Sequence, residues 1–358
     1  MLEFLKDKIY YIMGATVLIL VVLIIISSCS SNNVGDYDSI ENNMVVAAKK
    51  YYKERKNLLP KETNETVKVS TSTLIEAELL KELVDPKDST KACTGYVEVY
   101  NVDSEYMYVP FLTCAGNYEP NYLNEKIKAD VPNELGDGVY EIDGEYRYRG
   151  EAVNNYVTFN NSLWRIIKVD SEGDIKMVRM FENEDNKYYW DNNYNPEKKG
   201  NTGLNTDFQT SNARRVIKSY TDSLSKEAKV RLVPKTLCIG SYGKNSVIDK
   251  ANDCIYKLEN QYFVTVGLLD IKYASTNEKC IYVNSKECNN RNYLTKDKFN
   301  GWLGAIDSET NYKVYSFSYN ISSSRASISK RLPQVVYLTG KTLTVEGNGS
   351  KEQPYKLK

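Results

Sequence analysis

The chain has 358 residues, and its 47 Lys and Arg balance its 47 Asp and Glu, so the formal net charge is zero. This length predicts more than one domain, and the balanced charge lacks the basic surface that a nucleic-acid-binding protein needs. The absence of histidine excludes Ser-His-Asp and Cys-His catalytic sets and histidine-ligated metal ions. We therefore predict no covalent catalysis, no cofactor or metal ion, and no nucleic-acid partner.

Residues 1–28 are predicted to be a membrane anchor. The stretch Ile9–Ile26 is apolar and uncharged, and it is long enough to span a bilayer. Lys6 and Lys8 precede it, whereas no Lys or Arg follows before Lys49, so the positive-inside rule places the rest of the chain outside the cell. We expect the membrane as a partner and an extracellular body on a single N-terminal anchor.

Two kinds of anchor fit this segment. Ser27 and Ser28 precede Cys29, which resembles a bacterial lipoprotein signal whose cysteine is acylated. An uncleaved signal-anchor helix is the alternative. Either anchor leaves the protein tethered to the outer face of the cell membrane, behind a polar spacer at residues 29–37.

The six cysteines that follow the anchor region can all be paired, as expected of an exported protein. Cys93–Tyr100 and Tyr106–Cys114 predict the two arms of a hairpin in which Cys93 faces Cys114 at bridging distance. Pro110 predicts that the second arm is an edge strand. The other four cysteines leave their pairing open, with Cys238–Cys254 and Cys280–Cys288 favoured.

Residues 38–116 are predicted to form a small α+β domain. Apolar residues recur at helical spacing from Ile40 to Tyr52, a shorter helix follows at Leu74–Leu83, and the disulfide-closed hairpin completes the unit. This layout behind an apolar N-terminal helix resembles the plan of type IV pilins and pseudopilins, over roughly residues 9–116. The resemblance implies a long helix that runs from the membrane into a small head.

A linker and a second domain are predicted next. Residues 117–145 have little apolar periodicity and several Pro and Gly residues, which is typical of a linker. Apolar patterns then predict strands at Asn155–Phe159, Leu163–Val169 and Asp174–Met180. A polar loop rich in Tyr and Asn follows at Glu182–Thr206.

Residues 146–358 carry several distinctive motifs. These are Tyr148-Arg-Gly, Asn154–Ile167, Ser225–Ala228, Leu332–Leu338, Gly347–Ser350 and Pro354-Tyr355. Together they resemble a domain of unknown function that occurs in anchored surface proteins of low-GC Gram-positive bacteria. The resemblance implies the fold of C-type lectins and formylglycine-generating enzymes, a mixed α+β body with a loop-rich ligand face. The fold class expected for the whole chain is thus α+β, with a transmembrane or signal helix, a pilin-like unit and a C-type-lectin-like domain.

The loop around Trp190 is the candidate ligand site. Aromatic rings stack on sugar rings or peptide side chains, and neighbouring amides and carboxylates supply directional hydrogen bonds. The alternative is that Trp190 fills the domain core while its polar neighbours are only solvated. The candidate residues are Tyr188, Tyr189, Trp190, Asp191, Asn193 and Asn195.

The same loop holds a cluster of carboxylates. Glu182, Glu184 and Asp185 have the chemistry that a glycosidase uses for acid and base catalysis. A sequence cannot show a facing pair at the required separation, and we interpret the cluster as a charged loop.

These features favour a membrane-anchored extracellular protein whose distal domain binds a glycan or a protein surface ligand without catalysis. The alternative is a structural component of an envelope or pseudopilus-like assembly. A third option is an enzyme on a formylglycine-generating-enzyme-like fold, which would need a groove lined by converging carboxylates or a bound metal ion.

Overall fold

The computed structural model describes residues 34–62, 65–102, 104–131, 136–180, 187–296, 301–318 and 320–358. The predicted membrane segment, Cys29 and the carboxylates Glu182, Glu184 and Asp185 lie outside these ranges. Within the ranges, no helix is both long and apolar enough to cross a membrane. The secondary structure is mixed α+β, as predicted. Internal contacts divide the chain into two units, Met1–Pro120 and Asn121–Lys358.

The first unit consists of a long helix packed on an antiparallel sheet. In the sheet, β3 pairs with all three other strands. The elements are α1 (Val34–Glu54), a 3-10 turn (Lys56–Leu58), β1 (Thr66–Ser70), α2 (Thr71–Glu76), β2 (Val84–Asp85), β3 (Asp88–Val102) and β4 (Glu105–Cys114).

Helix α1 is held by an apolar stripe at helical spacing. Met44, Ala47, Ala48 and Tyr52 are buried and belong to one cluster with residues of α2, β1, β3 and β4. The basic residues predicted for the other side of this helix, such as Lys49, are exposed. The stripe therefore fixes which face of α1 covers the sheet.

The hairpin of the first unit has the predicted register. Cys93 pairs with Cys114, and the same alignment pairs Tyr96 with Phe111, whose rings stack with centroids 4.8 Å apart. A disulfide joins the two cysteines across a Cα–Cα distance of 4.3 Å. Strand β4, which contains Pro110, has β3 as its partner and lies at the edge of the described sheet, as predicted.

The second unit contains most of the strands and several short helices. Its helices are α3 (Leu123–Ala129), α4 (Asn212–Asp222), α5 (Lys226–Lys229), α6 (Lys250–Asp253), α7 (Leu268–Ala274) and α8 (Tyr293–Lys296), with a 3-10 turn at Lys286–Asn289. Its strands are β5 (Gly138–Ile142), β6 (Glu145–Arg149), β7 (Tyr156–Phe159), β8 (Ser162–Val169), β9 (Ile175–Arg179), β10 (Lys187–Tyr189), β11 (Lys235–Tyr242), β12 (Tyr256–Gln261), β13 (Phe263–Val264), β14 (Gly301–Asp307), β15 (Lys313–Phe317), β16 (Ile321–Arg325), β17 (Ser329–Arg331), β18 (Val335–Leu338), β19 (Thr344–Glu346) and β20 (Tyr355–Leu357).

Two larger sheets and one small sheet organise these strands. A nine-stranded sheet runs in the order β13-β18-β9-β8-β7-β20-β19, with β6 also paired to β8 and β5 paired to β6. A five-stranded sheet has the order β12-β11-β14-β15-β16, and β10 pairs with β17. One apolar cluster, which includes Trp164 and Trp302, joins residues from both larger sheets. Trp164 is therefore a core residue, as its strand pattern predicts.

The region predicted as a linker has regular structure instead. Residues 121–131 contain α3, whose Leu123 and Ile127 are fully buried in the core of the second unit. Strand β5 pairs with β6, which in turn joins the nine-stranded sheet through β8. Gly144 lies in the turn between β5 and β6, and Gly138 is the first residue of β5. The second unit therefore begins well before Tyr146.

Candidate functional site

One row of side chains crosses four strands of the nine-stranded sheet. Arg147 on β6 pairs directly with Lys168 on β8, Lys168 pairs with Lys176 on β9, and Lys176 pairs with Tyr337 on β18. Directly paired residues share a face of the sheet, with Cβ atoms about 5 Å apart. Three cations are therefore neighbours, an arrangement that like-charge repulsion destabilises unless anions lie close by.

Two carboxylates supply the compensating charge. Glu145 accepts hydrogen bonds from Nε and Nη2 of Arg147 at 2.8 and 2.5 Å, and from Nζ of Lys168 at 2.6 Å. Asp270 accepts from Nζ of Lys176 at 2.6 Å and from Nη1 of Arg147 at 3.3 Å. The side chains of Arg147 and Asp270 are each 5% exposed, so water screens these ion pairs weakly.

Helix α7 sets the position of Asp270. The carboxylate lies in the first turn and accepts the backbone N–H of Gly267, the residue before the helix, at 3.0 Å. Burial alone would raise the pKa of Asp270, but the charges of Lys176 and Arg147 outweigh burial and hold that pKa well below its usual range. Asp270 is therefore ionised at neutral pH.

The row of cations borders a cavity of about 230 Å³. Thr236 and Cys238 of β11, Asp253 at the end of α6, and Cys254 contribute to its other walls. The Cys238–Cys254 disulfide therefore lies in the cavity wall. A cavity of this volume is large enough for a small polar molecule.

The cavity offers hydrogen-bond donors that the described protein does not use. Each of the ammonium groups of Lys168 and Lys176 donates one hydrogen bond to a described residue, although each carries three N–H groups. The Tyr337 residue is only 9% exposed, and its hydroxyl forms no hydrogen bond with any residue that the structure describes. Unused donors and positive charge therefore meet at one wall.

Asp253 is the third carboxylate of the cavity. Its Oδ1 accepts the hydroxyl of Tyr242 at 2.9 Å and the backbone N–H of Leu269 at 3.2 Å. Burial raises the pKa of Asp253, and the negative charge of Asp270 raises that pKa further. Asp253 therefore takes up a proton at a higher pH than an ordinary aspartic acid does.

Lys168 is the cation in the least favourable surroundings. Burial lowers the pKa of its ammonium, and the charges of Arg147 and Lys176 lower that pKa further, against the opposing effect of Asp270 and Glu145. An added anion next to Lys168 would relieve part of this repulsion. The cavity thus favours negative charge at this point.

The loop predicted as the ligand site has several buried members. Trp190 is 0% exposed and packs against Phe208 and Trp302, with ring centroids 5.3 and 6.2 Å away. Asp191 is buried and accepts the backbone N–H groups of Asn193 and Leu204. The prediction of an exposed stacking surface is therefore wrong for Trp190, because its ring is buried in the core of the second unit.

Asn195 also has a structural role. Its side chain is 0% exposed, donates to the backbone of Gly203 and to Asn311, and accepts from the backbone of Glu197. Tyr188 is half-buried, whereas Tyr189 is 44% exposed and Asn193 is also exposed. A role of these last residues in ligand contact stays a prediction.

The remaining cysteines are joined in the favoured pairs. Disulfides link Cys238 to Cys254 and Cys280 to Cys288, with Cα–Cα distances of 4.6 Å in both. With Cys93–Cys114, all six cysteines of the described chain are used.

The acidic turn between β8 and β9 holds three carboxylates around the ammonium group of Lys235. Nζ of Lys235 lies 2.9 Å from Asp170 and 2.7 Å from Asp174, and it also pairs with Glu172. Burial lowers the pKa of Lys235, but the hydrogen bonds that its ammonium donates to the three carboxylates outweigh burial and raise that pKa above its ordinary value. The three carboxylates present ligand atoms within 4.8 Å of one another, and the ammonium fills the place between them.

Replacing Lys235 with Met should lower the free energy of unfolding by about 1–2 kcal/mol, because three carboxylates then repel one another. Water screens part of this loss, since the Glu172 side chain is 74% exposed. Carboxylates are preferred Ca²⁺ ligands, so ~10 mM CaCl₂ should restore about 1 kcal/mol to the variant and leave the wild type unchanged. Thermal unfolding with and without CaCl₂ measures this difference, and the exposed Lys356→Met is the control. Equal melting of the Lys235→Met variant in both buffers would contradict the prediction.

Comparison with known proteins gives no lead to the ligand. Neither protein-family models, nor curated proteins, nor solved structures show a match to this chain. The site must therefore be interpreted from its own geometry and chemistry.

One feature of the sequence could have indicated this cavity, namely the cross-strand alignment of two lysines. A tight turn at Asp170–Gly173 between the two predicted strands aligns Lys168 with Lys176, and two facing lysines require nearby carboxylates. Arg147 and Asp270 could not be found in this way, because they come from strands and helices far apart in the chain. The cavity is a product of tertiary structure.

Proposed function

We propose that the chain is an exported, membrane-tethered protein whose second unit binds a small polar ligand in the cavity beside Arg147, Lys168 and Lys176. The observation that carries this proposal is the row of three neighbouring cations with unused N–H groups at a cavity wall. A fold that only needed stability would place apolar side chains at such positions, since buried ion pairs are weak stabilisers.

The binding is non-covalent in this proposal. Glu145 and Asp270 are each engaged by two cations, so they serve to hold Arg147, Lys168 and Lys176 in place. Fixed donors that are already oriented by neighbouring groups lose little freedom when a ligand binds. This arrangement supports recognition of a ligand.

The export proposal is supported by the cysteines. Three disulfides with short Cα–Cα distances are compatible with an oxidising compartment and rare in the cytosol. The predicted anchor lies in residues 1–28, outside the described chain. Protease added to intact cells that express the full-length chain should trim the body, and a fully protected body would remove this part of the proposal.

The proposed fold family rests on the motifs of the second unit. Asn154–Ile167 forms β7 and most of β8, and Leu332–Leu338 includes β18, so both motifs lie in the sheet that carries the cations. We propose a C-type-lectin-like arrangement on this basis. The proposed ligand-binding surface of this domain, however, is the charged cavity.

Blocking the mouth of the cavity tests the proposed function. Thr236 is exposed and lines the cavity, so Thr236→Trp should fill the opening without burying a charge. We expect this variant to lose at least about tenfold in affinity for any cavity ligand. Ligand-observed NMR with the full-length chain in nanodiscs and a library of neutral, cationic and anionic metabolites identifies such ligands.

The matched control for this test is Thr158→Trp. Thr158 is also exposed and lines a separate cavity of about 420 Å³ near Phe159 and Arg231, so the same substitution is made at a comparable surface position. This control should keep full binding. A library in which no compound distinguishes the two variants would refute ligand binding in the cavity.

A second candidate function is a structural part in an envelope assembly. It is favoured by the first unit, where α1 starts at Val34, close behind the predicted anchor, and packs on an antiparallel sheet. Val46 on α1 and Leu58 are also 51% and 47% exposed, which gives apolar contacts to a possible neighbour. Sedimentation of the full-length chain in detergent tests this function, and a monomer at all concentrations would argue against it.

A further inference from the structure

We propose that the ligand of the cavity is a small monoanion that presents a carboxylate group to Lys168, Lys176 and Tyr337. This inference rests on the proposed function and names the chemical class of the ligand. It is argued from the charges that face the cavity, the donors available to a ligand, and the volume.

The charges of the cavity leave room for one negative charge. Arg147, Lys168 and Lys176 give three positive charges, and Glu145 and Asp270 give two negative charges, so with Asp253 protonated this set carries 3 − 2 = +1 and with Asp253 ionised it carries 3 − 3 = 0. Lys250 also borders the cavity, but it is 64% exposed and pairs with Asp143. A monoanion therefore neutralises the inner set of charges when Asp253 is protonated.

A carboxylate also satisfies the unused donors. Its two oxygens can accept from N–H groups of Lys168 and Lys176, which are direct cross-strand neighbours about 5 Å apart at Cβ. The Tyr337 hydroxyl, next in the row, supplies a third donor. Hydrogen bonds to a charged acceptor are roughly twice as strong as neutral ones.

Other ligand charges fit this wall less well. A cation would meet three positive groups, and a dianion such as sulfate would leave an excess negative charge in weakly screened surroundings. A neutral amide would leave the excess positive charge uncompensated. The volume of about 230 Å³ accommodates a carboxylate with a short chain.

Asp253 couples the binding of this anion to pH. Its carboxylate lines the same cavity and faces Tyr242 from β11, Asp270 from α7 and Lys176 from β9, with Lys250 on its own helix. Asp249, which caps that helix, adds further negative charge near Tyr242. When Asp253 is ionised the inner charges sum to zero, and when it is protonated they sum to +1. Anion binding should therefore strengthen as the pH falls.

A pair of probes of nearly equal shape tests the inference. Butyrate and butyramide differ in charge, and calorimetry with the full-length chain in nanodiscs compares their affinities. At about pH 6, where butyrate is still ionised, we expect butyrate to bind at least about tenfold more tightly than butyramide. We also expect butyrate to bind more weakly as the pH rises, because a larger fraction of Asp253 is then ionised.

Two conservative variants separate recognition from folding. Tyr337→Phe keeps the ring and removes the hydroxyl, so butyrate affinity should fall about tenfold while the melting temperature stays close to that of the wild type. Asp253→Asn keeps an oxygen for Tyr242 and Leu269 and removes the charge, so it should bind butyrate more tightly than the wild type with ionised Asp253 and lose the pH dependence. A merely structural role of Asp253 would not produce tighter binding.

The outcomes distinguish this inference from the proposed function. Equal affinities for butyrate and butyramide, or a Thr236→Trp-sensitive ligand that is neutral, cationic or dianionic, would overturn the carboxylate assignment and leave ligand binding in place. The absence of any ligand sensitive to Thr236→Trp would overturn both. Unchanged butyrate binding in Tyr337→Phe would also contradict the assignment.

Discussion

Replacing Asp270 with Asn is expected to lower the free energy of unfolding of the second unit by about 3–5 kcal/mol. The carboxylate binds Lys176 and Arg147 and caps α7 through Gly267, and its side chain is 5% exposed. The asparagine keeps the size of the side chain but removes the charge, so two buried cations lose their common counter-ion. Urea unfolding followed by tryptophan fluorescence and by hydrogen exchange in β8 and β9 measures the loss.

A pair on the surface provides the control for this substitution. Glu346 and Lys356 form an ion pair whose side chains are 63% and 58% exposed, so Glu346→Gln should change stability by no more than about 0.5 kcal/mol. Similar effects of Asp270→Asn and Glu346→Gln would show that the buried network does not hold the sheet together.

The pH dependence of the same variant has a definite sign. Because the folded-state pKa of Asp270 is depressed, its contribution to stability is present above the ordinary pKa of an aspartic acid, about 3.9, and is lost as the pH falls through the folded value. Wild type and Asp270→Asn should therefore differ at neutral and mildly acidic pH. The difference should shrink only in strong acid.

The hairpin of the first unit shows what local sequence pattern can predict. Its two arms are adjacent in the chain, and their alternation fixes the register of Cys93 with Cys114. The strands around Trp164 were predictable for the same reason, because β7, β8 and β9 follow one another closely. Strands that are close together in the chain have few alternative ways to pair, so local sequence pattern is enough to predict their contacts.

The cavity depends on contacts that local pattern does not contain. Asp270 meets Lys176 and Arg147 across more than ninety residues of chain, and a register shift between Ile166 and Lys168 breaks the simple alternation of β8. The row of cations exists only once β6 has joined β8. The sequence could indicate that charges lie on strands, but not that they converge.

Trp190 shows that local composition does not reveal whether an aromatic side chain is buried. Exposed aromatic loops and buried aromatic plugs have the same local composition, and only the positions of Phe208 and Trp302 decide between them. Composition also misled at residues 117–145, which contain α3 and β5. In both places the deciding contacts come from distant parts of the chain.

Removing the Cys93–Cys114 disulfide is expected to destabilise the first unit by about 3 kcal/mol. The bond closes a loop with a sequence separation of 21 residues and joins Cys93 within β3 to Cys114 at the end of β4, two strands on which α1 packs. A unit of this size has a small core and gains a large share of its stability from such a link. The Cys93→Ala/Cys114→Ala variant should show faster hydrogen exchange throughout β3 and β4.

The second unit serves as the internal reference for this variant, because its own disulfides are intact. Exchange in β8 and β9 should stay at the wild-type rate, whereas Cys280→Ala/Cys288→Ala should leave β3 and β4 protected and accelerate exchange near α8 instead. The two double variants thus act on different parts of the chain if each disulfide restricts only the unit that contains it. Protection of β3 and β4 that survives without their disulfide would mean that the packing of α1 on the sheet is sufficient for the first unit, and that oxidation outside the cytosol is not needed for its folding.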